Sequence, residues 1–132
     1  MRRRAVVLLP VLIGACLTGA GSATAAPDQP GCAYTLSRPS VTQVSGVPMV
    51  TTTVAAAACN RSNSTLQVAC LELRGAGTAP LCVSTEGPVA AQVFFSPYRP
   101  GATYVASGRG CAAAGSPTVS VCNAVGPVTV TL

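Results

Sequence analysis

Downstream of Cys16 the chain carries cysteines at positions 32, 59, 70, 82, 111 and 122, an even set with no Cys-x-x-Cys spacing and no histidine anywhere to join it. That pattern excludes a zinc-finger or thioredoxin-like reading and leaves disulfides as the role for these residues. Disulfides persist outside the reducing cytosol, and small secreted domains with modest cores commonly rely on them. The start of the chain agrees. MRRRAVVLLPVLIGACLTGAGSATAAPDQPGC places an arginine cluster before an apolar run and then small residues, the layout of a secretory signal peptide.

Two processing schemes follow from these residues. In the first, residues 1–25 are the signal peptide and Ala23-Thr24-Ala25 is the small-x-small site cut before Ala26. In the second, Leu12-Ile13-Gly14-Ala15-Cys16 resembles the lipobox of bacterial lipoproteins, residues 1–15 are removed and Cys16 carries a lipid anchor. The apolar run is broken by Pro10 and Gly14 and falls short of the roughly 20 apolar residues of a membrane span. Secretion is expected from the first scheme, and tethering outside the cytoplasmic membrane from the second. Arginine without lysine, among many Ala, Gly, Pro and Val residues, suggests a bacterial chain from a GC-rich genome. Asn60-Arg61-Ser62 and Asn63-Ser64-Thr65 match the glycosylation sequon, but in a bacterial chain they read as turn residues.

Removal of Arg2, Arg3 and Arg4 leaves Arg38, Arg61, Arg74, Arg99 and Arg109 against Asp28, Glu72 and Glu86, a net charge of +2. So weak and scattered a charge does not point to nucleic acid or an anionic membrane as partner. Residues 26–31 read as a flexible leader and 32–132 as one domain. Val47 to Ala58, Leu66 to Leu73, Val89 to Phe95 and Val128 to Leu132 are β-rich, several with a period of two. Turn residues separate them at Ser45-Gly46, Asn60 to Ser64, Arg74 to Pro80, Glu86 to Pro88, Pro97 to Gly101 and Gly115 to Pro117. This spacing predicts an all-β, antiparallel sandwich of about seven strands. The alanine runs 55–58 and 112–114 are too short to stand as helices.

Six cysteines permit fifteen connectivities, but one set agrees with the turns. Residues facing each other across a hairpin have their midpoint at its turn. Cys32 with Cys59 centres on Ser45-Gly46, Cys70 with Cys82 on Ala76, and Cys111 with Cys122 on Ser116-Pro117. This set is the favoured one.

The inventory argues against catalysis. No histidine or lysine supplies a base, dyad or Schiff base, and no phosphate-binding loop is present, so no cofactor or metal is expected. Glu72 and Glu86 are the remaining candidates, as a glycosidase pair. Binding is the other option. The loop RGAGTAP, clamped if Cys70 pairs with Cys82, offers the rigid presentation that a protease inhibitor uses.

Tyr98-x-Pro100-Gly101-x-x-Tyr104-Val105 resembles the corner leading into strand F of immunoglobulin-like and fibronectin type III domains. The resemblance covers about 15 residues, and the chain departs from that family in its six cysteines and its lack of tryptophan. It implies an immunoglobulin-like sandwich in which Pro100-Gly101 turns the chain, Tyr98 fills the apolar position and the Tyr104 hydroxyl bonds back to the preceding backbone. Arg99 and the polar segment Ser107-Gly108-Arg109-Gly110 are then left as exposed, possible binding residues. The expected function is a non-catalytic, structural or binding module whose partner is a protein or cell-envelope component, with an extracellular hydrolase inhibitor as the alternative.

Overall fold

A computed structural model describes residues 29–132, all of whose regular structure is antiparallel β. The expected signal peptide, the alternative anchor Cys16 and the acid Asp28 lie outside the described residues. Among the described residues no helix is long and apolar enough to cross a membrane.

The strands are β1 (Gly31–Leu36), β2 (Ser40–Val44), β3 (Val47–Asn60), β4 (Ser62–Leu73), β5 (Leu81–Glu86), β6 (Ala91–Phe95), β7 (Thr103–Ala114) and β8 (Val119–Thr131). Eight strands replace the expected seven because the first edge strand is split. β1 and β2 pair with the same edge of β3, and β6 takes the other edge. The split spans Ser37 to Pro39, where Pro39 has no N–H to offer a ladder. Gly31, the last residue of the expected leader, already pairs with Asn60 as the first residue of β1.

The register of this sheet is set at one tight turn. Ser45 and Gly46 have φ of 50° and 80°, the left-handed pair of a two-residue hairpin whose twist matches the flanking strands. From that turn Val44 faces Val47 and Ser40 faces Thr51. The split then places three residues against two on β3, and a bulge at Ala57 places one extra residue on β3. The two irregularities cancel, so Cys32 still faces Cys59.

The second sheet has the order β5-β4-β7-β8. The chain passes from the first sheet to the second through Arg61 alone, at φ 46°, so the turn expected over Asn60 to Ser64 contracts to one residue. Both alanine runs lie in strands, in β3 and β7.

Between the sheets, Val50, Val54, Leu71, Val93, Tyr104 and Ala106 are fully buried. They alternate with outward residues, which is why two-residue periodicity marks their strands. Burying a side chain of this kind contributes roughly 1.5 to 3 kcal/mol. Disulfides join Cys32 to Cys59, Cys70 to Cys82 and Cys111 to Cys122, with Cα separations of 4.0, 4.1 and 4.0 Å. Each links neighbouring strands of one sheet, so the contact between the sheets rests on the packed core and not on a covalent bridge.

Candidate functional site

The chain around FSPYRPGATYVASGRGC divides into a corner and a strand. At the corner, Tyr104 is fully buried with its ring edge-on to Phe95, at a centroid distance of 5.8 Å and an interplanar angle of 74°. Its hydroxyl accepts the Arg99 N–H at 2.9 Å. Gly101 has φ 77°, a conformation that glycine adopts without cost, and its N–H donates to the Leu132 carbonyl. Tyr98 packs against the core. Pro100, Gly101 and Tyr104 are thus structural, and the corner holds the Arg99 side chain out in solvent.

Ser107 to Gly110 is not a loop. It is the middle of β7, and the expectation of an exposed polar segment holds there for Arg109 alone. The two glycines face the interior because a neighbour occupies the space of a side chain. A Cβ on Gly108 would lie 2.5 Å from Val54 Cγ2, and one on Gly110 would lie 2.1 Å from the Tyr34 ring. Tyr34 crosses from β1 to lie on Gly110 and donates its hydroxyl to the Cys111 carbonyl at 2.7 Å.

Arg109 has the opposite parity and stands on the outer face of the second sheet, opposite Val68 on β4 and Ala124 on β8. With Cys70, Ser107 and the Gly108 backbone these residues line a shallow, mostly apolar recess. Cys70 and Cys111, each two residues away on this parity, carry disulfides that flank it. Arg99 is elsewhere. Six residues of β7, roughly 20 Å of strand, separate Thr103 beside the corner from Arg109. The two arginines therefore do not form one patch.

Other candidates are separated too. Glu86 faces Leu66, six residues along β4 from Glu72, again roughly 20 Å. A glycosidase pair works at about 5 to 10 Å, so these carboxylates are not one. Among the described residues no group of three His, Cys, Asp or Glu side chains is placed to hold a metal.

The loop Arg74 to Pro80 is exposed throughout, beginning after the Leu71–Leu81 pair that follows the Cys70–Cys82 disulfide. It lies at the same end of the sandwich as the Arg99 corner, tied to β7 by the Arg74 N–H to the Thr103 carbonyl at 2.9 Å.

One buried polar group escaped the sequence reading. Gln67 is fully buried, its amide nitrogen donates to Ser64 Oγ, and its Oε1 has no hydrogen-bond partner among the described residues. Its parity was the available signal, since Gln67, Ala69, Leu71 and Leu73 share one face of β4.

Fold and site together define a small disulfide-stapled all-β sandwich with exposed arginines on a rigid frame. Compared with known protein families, curated proteins and solved structures, the chain has no match.

Proposed function

We propose that this chain is a non-catalytic binding module working outside the cytoplasm, with an immunoglobulin-like sandwich as its frame. Three disulfides suit an oxidising compartment. The sheet order supports the frame, as does the Tyr104 corner that the resemblance implied. The observation that carries the reading is Arg109, which stands by strand parity on the outer face of the second sheet in an apolar recess flanked by two disulfides. An arginine on a rigid sheet is preorganised to bind a carboxylate or phosphate group of a protein or cell-envelope partner. The test is retention of the purified mature domain on isolated cell-envelope material. Arg109→Ala is expected to weaken retention about tenfold, the scale of one charge-assisted hydrogen bond. Equal retention of the variant and the parent removes Arg109 from the site.

The inhibitor reading keeps one supporting observation, the exposed loop from Arg74 to Pro80 just beyond the Cys70–Cys82 disulfide. A panel of secreted proteases decides it, and absence of inhibition at micromolar domain retires it. Placement relative to the membrane turns on Cys16. Fractionation unchanged in Cys16→Ala retires the lipid anchor, and a shift from membrane to medium supports it.

A further inference from the structure

The two sheets differ in width. The second is four strands wide, whereas the first is three positions wide, because β1 and β2 share one edge of β3. The mismatch falls on the β5 side. Leu81 and Val83 face Leu71 and Ala69, two fully buried residues, and so have inward parity. Yet Leu81 is 44% and Val83 37% exposed, since β6 is the last strand above them. Val89 and Phe94, on the turn before β6 and on β6 itself, are exposed as well.

Beside this uncovered strip lies an open backbone edge. The Thr53 carbonyl accepts the Ser37 N–H at 2.9 Å, so Thr53 turns its polar groups toward the β1 side. Its neighbours Thr52 and Val54 turn theirs toward β6, where they pair with Val93 and Ala91. Gln92 and Phe94 consequently direct their N–H and C=O groups away from β3, to the free edge. The segment Ala91 to Phe95 carries no charge, so the edge lacks the side chains that usually discourage pairing.

We propose that β6 is a strand-accepting edge, taking an extended peptide segment of a partner that has alternating apolar residues and a carboxylate at one end. Such a strand pairs with Gln92 and Phe94 and lays its inward side chains over Leu81 and Val83, completing the narrower sheet. The carboxylate follows from charge. The loops before β5 and after β6 put the exposed Arg74 and Arg99 at the end of the sandwich where an antiparallel strand on β6 begins, so a carboxylate at its N-terminus enters at a positively charged end. The described start of the chain lies away from this edge, since the Gln29 carbonyl accepts the Asn60 side-chain amide on the β1 side of the first sheet. This site is separate from the Arg109 recess, and either can fail without the other.

The test is an NMR titration of the isotope-labelled mature domain with a blocked six-residue peptide, an N-terminal aspartate followed by alternating valine and threonine. Saturable shifts at the Gln92 and Phe94 amides are expected, together with at least about tenfold weaker binding by Gln92→Pro and by a peptide N-methylated at alternate residues. Proline at position 92 removes an outward N–H, which edge strands tolerate, along with the exposed Gln92 side-chain amide's bond to Thr51 Oγ1, which Gln92→Ala removes by itself as a control. The uncharged serine analogue of the peptide is expected to bind more weakly. Absence of saturable shifts at low millimolar peptide overturns the proposal, as does equal binding by Gln92→Pro or by the methylated peptide. Shifts at β6 that depend on protein concentration alone also overturn it, by assigning the edge to a second copy of the chain. Val83→Asp supplies an independent check, with loss of binding expected and unchanged binding counting against the apolar strip.

Discussion

The phenolic oxygen of Tyr104 accepts a hydrogen bond from the backbone N–H of Arg99, five residues earlier, at 2.9 Å. The ring beneath it is fully buried against Phe95, so the bond ties an exposed turn to the centre of the core. Tyr104→Phe keeps the ring and removes the acceptor, and is expected to cost about 1 to 2 kcal/mol in urea unfolding of the oxidised protein. Tyr104→Ala removes the ring as well and should cost about 3 to 5 kcal/mol. An unchanged midpoint for the phenylalanine variant would mean that the hydrogen bond adds nothing to the packing.

Gly110 and Tyr34 meet across the two sheets, and there is no room for a methyl group between them. A Cβ at position 110 would lie 2.1 to 2.3 Å from three ring carbons, so Gly110→Ala must push the ring away and loosen its bond to the Cys111 carbonyl. The expected loss is about 2 to 3 kcal/mol. A double-mutant cycle with Tyr34→Ala isolates the cause. With the ring gone the alanine fits, and the combined loss should fall short of the two single losses added together by at least about 1 kcal/mol. Simple additivity would place the cost of Gly110→Ala elsewhere.

The three disulfides close loops of unequal length, with sequence separations of 27, 12 and 11 residues. Restriction of the unfolded chain then gives about 3.5 kcal/mol for Cys32–Cys59 and about 2.8 kcal/mol for each of the others. Paired serine replacements, compared by thermal unfolding, should therefore rank the first pair as the most damaging. All three variants should keep the sandwich at low temperature, because no disulfide crosses the core. Loss of all β structure in any one variant would show that core packing alone does not hold the sheets together.

Legibility in the sequence follows the range over which each feature is determined. The Cys32–Cys59 register could be read because the left-handed pair Ser45-Gly46 fixes it locally and the two later irregularities cancel. The corner could be read because Tyr98, Pro100, Gly101 and Tyr104 carry out their roles within seven residues. Assignment of β3 and β4 to different sheets could not, since Arg61 carries no obvious signal that it alone turns the chain between layers. The interior placement of Gly108 and Gly110 depends on Val54 and Tyr34, distant in sequence, and the polarity of Ser107 and Arg109 hides it. The uncovered strip at Leu81 and Val83 depends on the relative widths of two sheets, which periodicity within one strand does not encode.

Gln67 provides the sharpest test of the interior. Its side chain is fully buried, with one end satisfied by Ser64 and Oε1 unpartnered among the described residues. Leaving a buried polar atom unpaired costs about 1 to 3 kcal/mol, whereas an apolar group of the same shape carries no such cost. Gln67→Met, close in volume, should therefore equal the parent or exceed it by up to about 2 kcal/mol. Gln67→Glu should behave in the opposite way and depend on pH. Burial raises a carboxyl pKa in the folded state, so the variant keeps its stability below the unfolded value of about 4.3. It loses that stability as pH rises from there toward the folded value, by about 3 kcal/mol at neutrality, because the unfolded chain ionises first. Unfolding of parent and variant at pH 4 and pH 7 measures the difference. An equal gap at both pH values would mean that position 67 is open to water, and the parity argument for β4 would fail with it.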